Sequence, residues 1–270
     1  MGSKIRGKEY PTVHYACIWE TGTTRKVNED SLLARSVLTE RGEVIIACVC
    51  DGMGGMGNGE KASGYAVEKI EQWFVEDLLP AISRGASASI IKGKGIRIFR
   101  SINQDLFAHT MEKGEKLGTT ASLILLYGKK YYLFHLGDSR ILKITGNLTI
   151  PGKKVMQPWV RQLTRDHSVN EHTLTRCLGL NKKGTPDYRE GSFGKRTSFL
   201  VCSDGFRHIY GNKEIAGILN PVEIRDSHVL KRRIAEIAHR SMARGEKDNI
   251  SAVAVCFPER RMVWEENEEK

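Results

Sequence analysis

Asp51 closes the apolar run Val44–Cys50 and opens a glycine-rich loop, "VCDGMGGMGNGE" over residues 49–60. Gly52, Gly54 and Gly57 match the G-x-G-x-x-G spacing that receives a dinucleotide pyrophosphate between a strand and a helix. Asp51 stands where that pyrophosphate would meet its charge. The acid that binds ribose belongs about 20 residues further on, at the end of a second strand. Here Glu76 and Asp77 fall inside a helix-like segment, and the next convincing strand begins only near Ala121. No Gly-Lys-Ser/Thr comes after the loop either, so a Walker-type phosphate site fails. The remaining chemistry is a cation held by Asp51, with the glycines letting the backbone turn and present a carbonyl.

Acids recur in equivalent settings along the chain. "NEDS" (28–31) precedes a strand-like segment, "HLGDSR" (135–140) separates two strands, "LVCSDGF" (200–206) repeats the strand–Asp–Gly pattern, and "KDNISAVAV" (247–255) places Asp248 at the entrance of the last strand. Taken singly, each reads more readily as a turn or a cap. Taken together, these acidic strand ends can converge at one edge of a sheet system, where a hard divalent cation with oxygen ligands would offset the charge density.

Patterning predicts the elements that must position them. Val13–Glu20, Val44–Cys50, Ala121–Tyr127, Tyr131–Leu136, Arg140–Ile144, Phe199–Cys202 and Ser251–Phe257 are short apolar runs bounded by turn residues, which predicts strands. Glu60–Ser83, Ile90–Lys116 and Ser227–Ala243 carry apolar stripes at helical spacing, although Gly93 and Gly95 weaken the start of the second. Two helices together, followed by consecutive hairpin-like strands, argue against a doubly wound parallel sheet and for antiparallel sheets covered by helices.

Composition bounds the rest. The 270 residues are 40% hydrophobic and 27% charged, ordinary for a globular chain long enough to bury a sizeable core. The apolar runs Val44–Cys50 and Ser122–Tyr127 are too short to cross a bilayer, and Met1–Pro11 has no apolar stretch of the secretory kind. The six cysteines lie mostly in apolar runs without CxxC or zinc spacing, which predicts reduced thiols and a cytoplasmic setting. The net charge of +10 is spread over short clusters without interleaved aromatics; these read as solvated faces, suit acidic or phosphorylated partners, and do not read as a nucleic-acid surface.

On these motifs the chain resembles the metal-dependent serine/threonine protein phosphatases of type 2C, in a bacterial style. The resemblance runs in order through "RKVNEDS" (25–31), "VCDGMGG" (49–55), "GTTAS" (118–122), "GDSR" (137–140), "LTRDHS" (163–168), "LTRCLG" (174–179), "VCSDG" (201–205) and "KDNIS" (247–251). It implies an α/β (α+β) fold, a four-layer α-β-β-α sandwich of two antiparallel sheets flanked by helices. It implies an N-terminal extension at 1–10, one catalytic domain at 11–258 and a charged tail at 259–270, expected to fray.

The same resemblance implies the site. Asp51 would bridge two Mn²⁺ or Mg²⁺ ions, with the Gly52 carbonyl on one of them, and Asp204 and Asp248 would complete the other ion's shell. Glu29 would face the second ion through water, supported by Asp30, and Asn249 would brace the ligands from behind. Asp138 matches the aspartate that in bacterial relatives helps bind a third, more weakly held ion, and Arg25 would clamp the substrate phosphate. A hydroxide bridging the metals would then attack phosphoserine or phosphothreonine directly, without a phosphoenzyme. Phosphorylated proteins are the implied substrates, a serine/threonine kinase the implied counterpart, and a monomer working without membrane or nucleic acid the implied form.

Two features depart from the family pattern. Relatives carry a histidine in the glycine loop, at the position of Met53 or of Met56, which protonates the leaving alcohol; here both are methionine. A metal-bound water, His167 or His172 would have to substitute. Between "DHS" and "LTR" only Val169–Thr173 intervene, where bacterial relatives carry a longer flap, which predicts a more open site. These departures leave an alternative: a pseudophosphatase that acts as a metal- or phosphoprotein-binding regulatory module.

Overall fold

The computed structural model describes residues 13–54, 58–147, 156–170 and 173–259. Among the described residues, thirteen strands and six α-helices run in the order β1 (His14–Glu20), β2 (Asp30–Thr39), β3 (Gly42–Gly54), α1 (Gly59–Trp73), α2 (Leu79–Ser83), α3 (Ala88–Lys113), β4 (Leu117–Thr119), β5 (Ala121–Tyr127), β6 (Lys130–Leu136), β7 (Arg140–Thr145), β8 (Trp159–Gln162), β9 (Ser168–Asn170), β10 (Thr173–Leu174), β11 (Asp187–Ser192), β12 (Thr197–Cys202), α4 (Asp204–Arg207), α5 (Asn212–Ile218), α6 (Ser227–Ala243) and β13 (Ile250–Phe257). One large sheet runs β1-β13-β12-β7-β8 and the other β11-β6-β5-β3-β2, with β4 pairing to the end of β3, and β9 and β10 form a small sheet of their own. Every ladder is antiparallel.

Side-chain alternation explains why two sheets stack and why both outer faces need helices. Successive strand residues point to opposite faces. On β3, Val44, Ile46, Cys48 and Cys50 join one core with α1, α2 and α3, whereas Ile45, Ala47 and Val49 join a second core between the sheets. On β13 the split repeats: Val253 and Val255 enter the inter-sheet core, and Ala252, Ala254 and Cys256 enter a third core beneath α6. A strand buried on both faces reads as an unbroken apolar run, which is what "VIIACVC" and "SAVAVCF" are. Three cores separate four layers, the expected α-β-β-α sandwich.

The helices differ from expectation in detail. Glu60–Ser83 is not one regular helix: a π turn, Phe74–Leu78, joins α1 to α2, with the Leu79 N–H reaching back five residues to the Phe74 carbonyl. Pro80 is the cause we identify, because it lacks an N–H and its ring would crowd a carbonyl one turn earlier. The widened turn keeps both Phe74 and Leu78 in the core. Helix α3 runs through Gly93 and Gly95 to Lys113, three residues short of the expected end. Gly95 is there for packing: a Cβ at that position would lie 2.1 Å from the Phe134 ring. Strand β2 is the strand-like segment expected after "NEDS", whereas the short elements β8 to β11, α4 and α5 do not emerge from the sequence pattern, being half-buried or too brief to show a period. Among the described residues no helix is long and apolar enough to span a bilayer.

Phe134 is fully buried, with Phe99 at 6.0 Å and Tyr188 at 5.3 Å between ring centroids. Phe134→Ala removes the ring that fills the space over Gly95. Chemical denaturation should show a loss of about 3–5 kcal/mol.

Candidate active site

Antiparallel pairing carries the acidic residues to one end of the sandwich. Glu29 precedes β2, Asp51 lies near the end of β3, Asp138 comes just after β6, Asp204 opens α4 directly after β12, and Asp248 precedes β13. Asp30 and Asp51 are opposite partners in the β2–β3 ladder. Arg25, Glu29, Asp51, Gly52, Asp138, Asp204, Asp248 and Asn249 line one cavity of about 280 Å³, completed by Met53, Thr120 and Leu174. Of the residues singled out from the sequence as ligands or their supports, Asp30 alone does not border the cavity; it lies buried.

Main-chain hydrogen bonds fix the ligand-bearing loops. The Gly52 N–H donates to the Glu29 carbonyl at 3.1 Å, and the Ser63 hydroxyl donates to the same carbonyl at 2.6 Å. The Gly59 N–H, at the start of α1, donates to Glu29 Oε1 at 3.2 Å. Here Gly52 is obligatory, because a Cβ would stand 2.1 Å from the Gly59 carbonyl oxygen. Asn249 ties two segments together: its Oδ1 accepts from the Glu29 N–H at 2.9 Å, and its Nδ2 donates to the Thr21 and Val27 carbonyls. That amide sets the loop from which Arg25 projects. Thr120 clamps Asp51 from the other side, its hydroxyl accepting from the Asp51 N–H at 2.9 Å and its own N–H donating to the Asp51 carbonyl at 2.8 Å.

The electrostatics are those of crowded carboxylates. Burial, followed by the charges of Asp30, Asp204, Asp248 and Asp138, pushes the Asp51 carboxyl well above the usual range. Burial lifts Asp30 to about 7 and Asp138 to about 6. Burial would also raise Asp204, yet the hydrogen bond and charge of His208, helped by Arg207, hold it below its ordinary value. His208 Nε2 lies 3.3 Å from Asp204 Oδ2, its Nδ1 lies 3.1 Å from Glu246 Oε2, and the Asp204 hydrogen bond leads in raising it to about 9. Arg25 pairs with Asp248 at 2.9 Å and approaches Glu29 at 3.8 Å.

Among the described residues, no three acidic, imidazole or thiol side chains close on a single point as they stand. Asp248 and Asp204 are paired with Arg25 and His208 instead. The donor set nonetheless fits hard divalent cations: carboxylate oxygens and a glycine carbonyl around a polar cavity, with a half-buried aspartate, Asp51, whose charged form burial and the neighbouring acids disfavour.

The histidines part from expectation. His167 does not border the cavity. Its Nδ1 accepts from the Gly137 N–H at 3.1 Å, its Nε2 faces Asp187 Oδ2 at 3.1 Å, and its ring stacks on His135 at 4.9 Å. Burial, the leading influence, lowers its pKa, so it is a neutral brace for the Gly137–Ser139 turn and does not replace the loop histidine. His172 and Met56 lie outside the described residues, while Met53 borders the cavity. The short flap forms the β9–β10 hairpin, which sets Leu174 at the cavity edge. The sequence pattern did not single out His208 or Glu246. His208 lies four residues beyond Asp204, at the end of α4, a spacing that places both on one helix face and could have flagged the pair.

Known proteins share this fold. The sequence model of the protein phosphatase 2C family matches residues 23–253, and the chain belongs to that family. Over 254 residues the chain is 27% identical to the serine/threonine protein phosphatase PstP of Mycobacterium tuberculosis, a match covering 89% of this chain and 44% of that protein. The chain thus spans less than half the length of that relative. It is 23% identical over 257 residues to the serine/threonine phosphatase stp of Listeria innocua, covering 87% of this chain and 92% of that one. The crystal structure of the catalytic domain of PstP in complex with 2 manganese ions has the same fold, with a TM-score of 0.67, 23% identity and coverage of 92% and 99% of the two chains.

Asp30 and Asp138 hold their protons more tightly folded than unfolded, so folding takes up protons between about pH 4 and pH 7. Stability of the chain treated with a chelator should therefore fall as pH rises through that window, against the opposing contribution of His135 and His167, whose pKa values burial lowers. His208 works in the same direction, because the stability from its raised pKa is full below about 6.5 and is lost as pH rises through about 9. Thermal unfolding should show a midpoint that declines toward neutrality, and added Mn²⁺ should raise it far more at neutral than at acid pH.

Proposed function

We propose that this chain is an Mn²⁺- or Mg²⁺-dependent protein phosphatase acting on phosphoserine and phosphothreonine monoesters. The observation that carries the reading is the convergence of Asp51, Asp138, Asp204, Asp248 and Glu29, together with Arg25, on one cavity of a protein phosphatase 2C fold. Asp51, the Gly52 carbonyl, Asp204, Asp248 and Glu29 would hold two ions, and Asp138 a weaker third. Bound divalent cations supply Lewis acidity, lowering the pKa of water and offsetting charge on phosphoryl oxygens.

The chain's own groups supply the rest. Arg25 is about half exposed, its side chain at 48% of full accessibility, and it spans Asp248 and Glu29 at the mouth of the cavity. Its planar guanidinium suits a phosphate's paired oxygens, and binding substrate would exchange a carboxylate partner for a phosphoryl one. Asn249 holds the loop that aims it. Met53 and Leu174 form an apolar edge that limits water on one side. No imidazole borders the cavity among the described residues, and in this reading a water would give the departing alkoxide its proton. The reading places the chain in the cytoplasm beside the kinases whose marks it removes, in keeping with its free cysteines.

That same lack of an imidazole favours the second reading, a phosphoprotein-binding module with little turnover. Phosphate release from a phosphothreonine peptide separates the two. The first reading expects Mn²⁺-dependent turnover, lost by at least about 10²-fold in Asp204→Ala, a KM raised about tenfold or more in Arg25→Ala, and a faster rate in Met53→His. Turnover that survives chelation or Asp204→Ala would overturn it. Metal-dependent phosphopeptide binding without release would select the module.

A further inference from the structure

Glu246 lies on the turn between α6 and β13, does not border the cavity, and takes no part in the chemistry described so far. It is nonetheless buried, at 7% of full exposure. A carboxylate is costly to bury unless its oxygens are engaged, and here both are. Oε1 accepts from the Lys247 N–H at 2.8 Å and from the Asp248 N–H at 3.0 Å, while Oε2 faces His208 Nδ1 at 3.1 Å. The main chain of the same residue is tied as well. Its N–H donates to the Ser241 carbonyl of α6 at 3.0 Å, and its carbonyl accepts from the Thr23 hydroxyl at 3.2 Å.

These bonds reach three parts of the cavity wall. Asp248 Oδ1 accepts from the Asn249 N–H at 2.9 Å, and Asp204 repeats the arrangement with the Gly205 N–H at 2.7 Å. A carboxylate bonded to its own main chain in this way is aimed by that main chain. Glu246 pins the backbone at Asp248 directly. Through His208, whose Nε2 lies 3.3 Å from Asp204 Oδ2, it also reaches the second aspartate. The two segments lie backbone against backbone, since a Cβ on Gly205 would stand 2.3 Å from the Asn249 carbonyl oxygen. The bond from Thr23 adds the loop that carries Arg25.

Simpler roles account for only part of this. A counter-ion for His208 would need one oxygen, yet the other serves two main-chain N–H groups. A residue that merely closes its own turn would have no use for His208. We propose that Glu246 is a positioning residue for the divalent-cation site, holding Asp248 directly and Asp204 through His208 at a fixed separation. This role rests on the two-ion reading of the cavity. Partners behind metal-ligating groups typically change metal affinity by about 10–100-fold when removed.

Mn²⁺ binding to the full chain, followed through the electron paramagnetic resonance of free Mn²⁺, tests the role without turnover. Glu246→Ala should weaken binding by ~10–100-fold. Two further variants separate geometry from charge. Glu246→Asp keeps the charge but is one methylene too short to span both N–H groups and His208, so it should also bind weakly. Glu246→Gln loses the charge but still accepts from the N–H groups and can donate to His208 Nδ1, so it should bind nearly as tightly as the unaltered chain. In a His208→Ala background the loss from Glu246→Ala should shrink, because one of its two routes is already cut. Thermal unfolding without metal shows which variants fold, and the Asp and Gln pair carries the test if the Ala variant does not. Tight binding by Glu246→Asp with weak binding by Glu246→Gln would mark a charge effect and overturn the proposal. So would a loss undiminished by His208→Ala. An unaltered chain that binds no Mn²⁺ would instead overturn the cation reading itself, and the positioning role with it.

Discussion

Like charge gathered at one sheet edge is the constraint around which the molecule is organised. Five carboxylates that border one cavity, with Asp30 buried beside them, repel one another in a setting too dry for water to screen them fully. Left alone, such a cluster would spread or protonate. The fold prevents spreading by anchoring each acid at the end of a strand whose other residues are locked into one or two cores. It tempers the charge with Arg25 and His208, each shared between two acids. The affinity for divalent cations proposed for this site is the release of that stored repulsion.

The scaffold around the acids is backbone-dominated. Glu29, Gly52, Asp51 and Thr120 are stitched by main-chain bonds, and the side chains that matter most to alignment, Asn249 and Thr120, each satisfy more than one group. An amide that serves three partners has no isosteric replacement, since an aspartate there would lose its donors and a leucine would strand all three. The cationic groups, by contrast, sit on partly exposed side chains and can change partner.

Much of this was legible in the sequence. Long runs buried on both faces, such as those of β3 and β13, advertise themselves through unbroken apolar content; a single strand–Asp–Gly pattern reads as a turn, and only the recurrence of acids at strand ends, Asp51 and Asp204 among them, suggested one sheet edge, with the residues' roles supplied by the family resemblance. What escaped notice was either short or relational. The edge strand β11 alternates too weakly to stand out, and the π turn is dictated by a proline that lies beyond the turn it widens. His167 looked available as an acid because a sequence does not show that its neighbours, His135 and Asp187, come from other strands to enclose it. His208 was overlooked for the converse reason: beside Asp204 it resembles an ordinary helix residue until Glu246 arrives from a distant loop.

The partition of β3 between two cores bears on how such a chain can change over generations. Because its side chains alternate faces, gaining or losing a single residue within the strand would exchange Val44, Ile46 and Cys48 with Ile45, Ala47 and Val49, and would turn Asp51 away from Asp30 in the same stroke. No gradual route leads through such a change. Length variation in descendants is therefore channelled to the hairpin turns and the flap, where β9 and β10 already form a minimal version. The access route to the site can drift freely while the acids stay in register.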